Sequence, residues 1–159
     1  LVIADTEISD VKAFAEELGV KGLEIDVASE SSVINCLNST AEHLGGLDGV
    51  INNAAATSEG LLKSGDVFAD FEDYPLSVWQ KTIDINLTGT FLVAREAGRL
   101  IKASKNSGSL INISSIYGIV GPDHRIYKDQ SFKSFPGYST SKSGAVSYTH
   151  LTLPTTPYV

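Results

Sequence analysis

A tyrosine and a lysine four residues apart are the residues of this sequence best suited to acid–base chemistry. They are Tyr138 and Lys142, in the run Tyr-Ser-Thr-Ser-Lys. On a helix, a spacing of four places both side chains on one face. Free tyrosine titrates near pH 10, and a fixed positive charge nearby favours its ionised form. If the segment is helical, the pair predicts a phenol that exchanges protons near neutral pH.

The elements that must position this pair follow from the hydrophobic pattern. Short apolar runs alternate with segments of helical period, at the pitch typical of a parallel sheet with helices on its faces. A stripe of Trp79, Ile83, Leu87 and Phe91 predicts the core-facing side of one long helix. We predict strands at 1–4, 20–27, 47–51 and 109–113, and helices at 9–18, 29–44, 75–103 and from Tyr138 onwards.

Polar residues stand at the end of every predicted strand. Asp5 ends the first strand and Asp26 the second, Asn52 and Asn53 end the third, and Ser115 ends the fourth. In open parallel sheets, ligands bind beyond the carboxyl ends of the strands. Asp and Asn are also common turn residues. Four coincidences together with the Tyr–Lys pair nevertheless predict a ligand site at this edge.

Individual residues suggest what the ligand is. The Asp5 carboxylate could bond a ribose 2′-hydroxyl and would repel a 2′-phosphate, which favours NAD over NADP; the alternative is a helix-capping role. Asn53 and Ala54 begin a run of small side chains that permits close approach of a flat ligand, or else tight helix–sheet packing. Asn86 lies inside the long helix, where a buried Asn needs partners and could bind water in a proton relay. Its alternative is a solvent-facing side chain.

Composition bounds the class of protein. The chain has 159 residues, of which 42% are hydrophobic and 19% charged, as in a single globular domain. The net charge of −7 argues against nucleic acid or an anionic membrane as partner. No apolar run is long enough to span a bilayer, and no metal site is predicted. The lone cysteine, Cys36, fits a reducing, cytoplasmic compartment and is interpreted as a small buried residue.

A set of motifs in a fixed order then identifies a family. In chain order they are Asp26-Val27, Asn52-Asn53-Ala54-Ala55, Asp84-Ile85-Asn86-Leu87-Thr88-Gly89, Ile113-Ser114-Ser115-Ile116-Tyr117-Gly118 and Tyr138-Ser139-Thr140-Ser141-Lys142. Together they resemble the single-domain branch of the short-chain dehydrogenase/reductase family over about residues 1–147. The resemblance implies a Rossmann-like, doubly wound parallel sheet in a three-layer α/β/α fold.

The resemblance also implies roles for residues. Tyr138 would be the general acid/base for an alcohol or ketone substrate, and Ser115 would orient the substrate oxygen. Lys142 would stabilise the phenolate and bond the nicotinamide ribose, and Asn86 would hold a water that links Lys142 to solvent. Hydride would pass between the nicotinamide of NAD(P) and the substrate carbon. The adenosine side would be lined by Asp26, Val27, Asn53 and Ala54.

Several features depart from the family pattern. Ala55 stands where the family usually has glycine. The first strand is interpreted as the family's second strand, so we expect the glycine-rich phosphate loop to be missing from this sequence. The missing first strand would lie between the strands at 1–5 and 47–52, so we expect an incomplete sheet with a gap. Residues 148–159 are interpreted as a non-native tail that is a poor helix former. We therefore expect a fragment that is inactive by itself.

The substrate and the assembly are less closely defined. Two long segments, 57–74 and 116–137, would border the substrate pocket, where Tyr117, His124, Arg125 and Tyr127 could read a polar or sugar-like substrate. The parent protein is expected to be a homo-oligomer, as is frequent in the family. Two alternatives remain: an extended-branch sugar-nucleotide epimerase or dehydratase, and a non-catalytic nucleotide-binding protein.

Overall fold

The alternation of strands and helices predicted from the sequence is present in the computed structural model, which describes residues 1–63, 69–104, 107–127 and 134–152. A π-helical turn, Asp84–Thr88, lies between two helices of the chain and continues directly into both. The strands are β1 (Val2–Asp5), β2 (Lys21–Glu24), β3 (Gly49–Asn52) and β4 (Ser109–Asn112). The helices are α1 (Ile8–Leu18), α2 (Glu30–Leu44), α3 (Ser58–Lys63), α4 (Leu76–Ile83), α5 (Gly89–Ala103) and α6 (Pro136–Thr152).

Two compact units divide the chain. The first contains Leu1–Ala54 and Gly89–Ile111, and the second contains Ala55–Thr88 and Asn112–Val159. All four strands begin in the first unit, whereas α6 and the π-helical turn belong to the second. The predicted acid–base residues and most of the predicted cofactor residues therefore fall in different units.

In the first unit, β1 and β2 form a parallel pair that is connected through α1. The register places Val2 opposite Lys21 and Asp5 opposite Glu24. α1 ends at Gly19, whose φ of 66° closes the helix in a left-handed conformation that glycine adopts without strain. A Cβ at Gly22 would lie 2.9 Å from Val11 Cγ1, so a glycine on β2 lets α1 pack closely on the strand.

Strands β3 and β4 form a second, separate two-stranded sheet. A cavity of about 970 Å³ in this unit is lined by residues of both β1 and β3. Neighbouring strands of one sheet lie about 5 Å apart, so β1 and β3 are not joined in a ladder across this space. The cavity lies where the sequence predicts an interruption of the sheet.

Packing of α2 and α5 covers the strands of the first unit. α2 begins after Ser29, whose hydroxyl accepts a hydrogen bond from the backbone N–H of Ser32. Arg99 on α5 donates to the Asn38 side chain on α2 at 2.9 Å. Cys36 on α2 is buried, and this burial raises the pKa of its thiol, which fits the predicted structural role.

In the long helix, the buried face differs from the prediction. Val78, Thr82 and Asn86 recur every four residues and are buried, with Thr82 and Asn86 fully inaccessible. The predicted stripe is offset from them by one residue: Trp79, Ile83 and Leu87 are half-buried, and Phe91 is exposed. Polar residues can take the buried face because they find partners there, as when the Thr82 hydroxyl donates to the Val78 carbonyl at 2.8 Å.

The last helix extends further than predicted. α6 continues to Thr152, past the break expected near residue 147, whereas residues 153–159 lie outside the described part of the chain. Thr149 fits the helix because its hydroxyl donates to the Ala145 carbonyl at 2.9 Å and accepts from Asn112 Nδ2 at 3.3 Å. Within the described ranges, no helix is long and apolar enough to cross a membrane.

Candidate active site

The predicted Tyr–Lys pair lies on one helix, α6, as its spacing requires. Lys142 is only 4% exposed, and its ammonium donates to the Ile113 carbonyl at 2.7 Å. The Lys142 Nζ atom is 5.9 Å from the centroid of the Tyr138 ring. Burial lowers the pKa of Lys142, because the charged form is poorly solvated there. The positive charge is thus held at a defined place beside the phenol.

Aromatic and aliphatic packing orients Tyr138. Its half-buried ring packs on a cluster of Leu61, Val78 and Phe135. The Phe135 and Tyr138 ring centroids are 5.8 Å apart, and aromatic pairs at such separations are favourable. The ring is therefore packed on one side by this apolar cluster.

Glycines let α6 approach α4 and the π-helical turn. A Cβ at Gly137 would lie 3.1 Å from Thr82 Cβ, and one at Gly144 would lie 2.7 Å from Leu87 Cδ1. These two glycines flank the Tyr138–Lys142 segment. Their close approach therefore also positions the Tyr–Lys pair relative to α4 and the π-helical turn. A Cβ at Gly137 would need Thr82 to give way by a few tenths of an ångström, and one at Gly144 would need the end of the Leu87 side chain to move.

Ser115 follows β4 and begins a short 3₁₀ turn, Ile116–Gly118. Its hydroxyl oxygen accepts from the Tyr117 N–H at 3.2 Å. A serine hydroxyl has one O–H donor besides its acceptor positions, so Ser115 can still donate to a substrate oxygen. The turn itself packs against α6.

Two serines for which the sequence indicated no role join this turn to α6. The Ser114 hydroxyl donates to the Lys142 carbonyl at 3.1 Å, and the Ser143 hydroxyl donates to the Gly118 carbonyl at 2.8 Å. Gly118 itself approaches the Lys142 backbone closely. The position of Ser114 next to Ser115 was a weak signal in the sequence, whereas nothing local distinguished Ser143.

Asn86 is fully buried in the π-helical turn rather than solvent-facing. Its amide oxygen accepts from the Ala56 N–H at 2.6 Å, and its amide nitrogen donates to the Ala56 carbonyl at 3.2 Å. Both ends of the side chain therefore hold the backbone that follows β3. Short π-helical turns occur frequently at functional sites.

Candidate cofactor residues of the first unit are mostly accessible. Asp5 is exposed at the end of β1, and its carboxylate accepts from the Thr6 N–H at 2.7 Å. Asp26 is also exposed and accepts from the Ala28 N–H at 2.9 Å. Val27, by contrast, is buried, and a Cβ at Gly89 would lie 2.8 Å from its Cγ2 atom.

The two asparagines at the end of β3 have different environments. Asn52 is buried and donates to the Thr90 carbonyl at 3.2 Å, so it ties β3 to α5. Asn53 is exposed and lines the 970 Å³ cavity, and Ala54 is also exposed. Asn53 and Ala54 are thus the members of this motif that a ligand could touch.

The residues of segment 116–127 that are predicted to contact the substrate also interact with neighbours in the same segment. The Tyr117 and Tyr127 hydroxyls are hydrogen-bonded at 3.2 Å, and this bond and burial raise the pKa of Tyr127 to about 12. Arg125 forms an ion pair with Asp123 at 2.7 Å. The His124 ring makes an edge contact with Tyr127, with centroids 6.3 Å apart.

Comparison with known proteins identifies the family. A family model described as Enoyl-(Acyl carrier protein) reductase matches residues 1–149. The chain is 31% identical over 156 residues to the 3-oxoacyl-(acyl-carrier-protein) reductase FabG of Aquifex aeolicus, covering 94% of this chain and 54% of that protein. It is 35% identical over 123 residues to the 3-alpha-(or 20-beta)-hydroxysteroid dehydrogenase of Mycobacterium bovis, covering 76% and 44%. The chain thus spans about half the length of these curated relatives.

A solved structure shows the same fold. The sorbitol-6-phosphate 2-dehydrogenase SrlD of Erwinia amylovora superposes with a TM-score of 0.75 over 93% of this chain and 53% of that one. The sequence identity is 24%, so this likeness concerns the fold alone. It confirms the Rossmann-like α/β class in an incomplete form. The chain belongs to the short-chain dehydrogenase/reductase family.

Proposed function

We propose that the protein is an NAD(P)-dependent oxidoreductase that interconverts an alcohol and a ketone, with Tyr138 as the general acid/base. The observation that carries this proposal is the buried Lys142 ammonium, 5.9 Å from the Tyr138 ring and bonded to the Ile113 carbonyl. A positive charge in this position stabilises a phenolate, which is the form that accepts the substrate proton. The names of the two curated relatives, a reductase of oxoacyl groups and a hydroxysteroid dehydrogenase, support the same pair of functional groups.

Ser115 and Asn86 complete the proposed site. Ser115 donates a hydrogen bond from its hydroxyl to the substrate oxygen, so that this oxygen faces both Ser115 and Tyr138. The Asn86 amide holds the Ala56 backbone in the structure, which supports a positioning role for this side chain. Its part in a water-mediated proton relay remains a prediction.

The cofactor would be held by residues that fit it chemically. Exposed Asp5 offers a carboxylate acceptor for a ribose diol, exposed Asp26 and Asn53 offer polar contacts, and Ala54 leaves room for a flat group. Val27 is buried and would pack beneath these exposed residues. When bound, the cofactor supplies or accepts a hydride. We propose NAD rather than NADP, because the Asp5 charge would repel a 2′-phosphate.

The activity is proposed for a polypeptide of the relatives' length that carries this sequence. The 159-residue chain alone is expected to bind NADH more weakly than micromolar, and micromolar affinity in a fluorescence titration would contradict this expectation. The cytoplasmic location and the homo-oligomeric assembly of such a polypeptide stay predictions.

Replacing Tyr138 tests the proposal. In the longer polypeptide, Tyr138→Phe should lower turnover by about 10²- to 10⁴-fold, measured as NADH absorbance at 340 nm with a panel of ketones. Binding of NADH should persist, because the substitution removes only the hydroxyl. Thr140→Val, which removes an exposed hydroxyl on the same helix, is the matched control and should keep turnover. Full activity in Tyr138→Phe would overturn the assignment.

A further inference from the structure

The second unit contains a cavity of about 360 Å³, and most of the residues that line it have no part in the candidate active site. Its described lining includes both aromatic and acidic side chains. Six of the residues that line it are Asp70, Phe71, Glu72, Tyr74, Ser134 and Phe135.

This cavity lies next to a residue, Phe135, that packs on the proposed acid/base. Phe135 lines the cavity on one side and packs on the Tyr138 ring on the other, with centroids 5.8 Å apart. Tyr74 also lines it and packs on the same apolar cluster as Tyr138. A molecule in the cavity would therefore contact Phe135 and Tyr74, the side chains that share the apolar cluster with Tyr138.

The charge of the lining is one-sided. Among the described lining residues, Asp70 and Glu72 bring two exposed carboxylates, His124 is the one basic side chain, and none is Lys or Arg. The rings of Phe71 and Tyr74 present faces of the kind that attract cations. The lining is thus complementary to a positive group rather than to a phosphate or carboxylate.

A buried hydroxyl gives an independent indication of a ligand. Ser134 is only 6% exposed, and its hydroxyl has no hydrogen-bond partner within the described part of the chain. Buried polar groups almost always have partners. Ser134 lines the same cavity, and its oxygen can accept a hydrogen bond from an ammonium, which carries three N–H donors.

We propose that this cavity binds the ammonium group of an amino-alcohol or amino-ketone substrate. The carboxylates of Asp70 and Glu72 attract the charge, Phe71 and Tyr74 contact it through their rings, and Ser134 accepts one N–H. The proposal rests on the proposed function for the reacting end of the substrate, while recognition of the ammonium does not depend on turnover.

Binding to the 159-residue chain tests the recognition step directly. Calorimetric titration compares cyclohexylamine with cyclohexanol, which has nearly the same shape and no charge. We expect the amine to bind at least about threefold more tightly at low salt, with a preference that shrinks as sodium chloride is added. Each of Asp70→Asn and Glu72→Gln should weaken amine binding by about 1.5- to 5-fold, as for exposed ion pairs.

Two variants make the test specific. Asp73→Asn neutralises an exposed carboxylate in the same 3₁₀ turn that does not line the cavity, so it should retain the amine preference. Ser134→Ala should weaken amine binding and leave the urea midpoint unchanged or raised, because a hydroxyl without a partner is removed. Equal binding of amine and alcohol, or an unchanged preference in the Asp70→Asn/Glu72→Gln variant, would overturn the proposal.

Turnover separates this proposal from the function on which it rests. In the longer polypeptide, trans-4-aminocyclohexanol and trans-1,4-cyclohexanediol differ only in the second group. The ratio of their kcat/KM values should favour the amine and fall in the Asp70→Asn/Glu72→Gln variant. Amine binding without any hydride transfer would refute the oxidoreductase and leave the ammonium site standing. Turnover without amine preference would refute the substrate class alone.

Discussion

Replacing Gly118 by alanine tests how tightly the loop after Ser115 packs against the turn of α6 that carries Lys142. A Cβ at Gly118 would lie 2.8 Å from the Lys142 carbonyl oxygen and 2.9 Å from its carbonyl carbon. Ordinary contacts begin at 3.4 Å, so the loop and the helix would have to separate by about 0.6 Å. Both contacts are with backbone atoms, which cannot rotate away.

The cost follows from this geometry. Inserting a methyl group into packed structure typically costs about 1–3 kcal/mol, and separation would also lengthen the bond from the Ser143 hydroxyl to the Gly118 carbonyl. For a chain of this size each kcal/mol corresponds to about 2–4 °C in Tm. We therefore expect Gly118→Ala to lower Tm by about 2–12 °C, and to lower turnover in the longer polypeptide because Lys142 moves.

Gly121→Ala is the matched control. A Cβ there would meet nothing within 4 Å, and neither glycine has a positive φ. The effect of alanine on the unfolded chain is common to both variants and cancels in the comparison. Urea unfolding of the two variants at constant m-value gives the difference. A free energy of unfolding for Gly118→Ala within about 0.5 kcal/mol of that for Gly121→Ala would refute the packing argument.

Two predictions concern pH. The pKa of Tyr127 is raised to about 12 by its bond to Tyr117 and by burial, so the folded state keeps a proton that the unfolded state loses, and stability should fall between pH 10 and 12. Absorbance at 295 nm should show one late-titrating tyrosine that moves towards pH 10 in Tyr117→Phe; an unchanged titration would contradict this. Burial lowers the pKa of Lys142 from 10.5, so the folded state binds fewer protons below that pH. The wild type should therefore gain stability relative to Lys142→Met as pH rises towards 10, measured by urea midpoints; parallel pH profiles would contradict it.

Much of the fold was predictable because its signals are local in the chain. The periods that separate strands from helices are read over about ten residues, and every predicted strand and helix has a counterpart in the structure. The Tyr138–Lys142 spacing needed only a helix, and α6 supplies it. The family followed from the order of the motifs, and the match over residues 1–149 agrees with it.

Burial was harder to predict, because it depends on all neighbours at once. The sequence placed the most apolar stripe, beginning at Trp79, in the core, whereas the buried positions include Thr82 and Asn86. These polar residues are stable there because each finds a partner, Thr82 within its helix and Asn86 on the Ala56 backbone 30 residues away. No local sequence pattern indicates a hydrogen-bond partner that lies 30 residues away in the chain.

The sequence by itself determined the family and the elements on which the candidate site residues lie. Only the tertiary structure decided that Lys142 is buried against the Ile113 carbonyl, that Thr149 continues α6, and that the buried hydroxyl of Ser134 lines a cavity together with Asp70 and Glu72. The physical reason is that residue type and spacing are properties of the chain. Desolvation, hydrogen-bond partners and cavity walls are instead properties of residues brought together from distant segments.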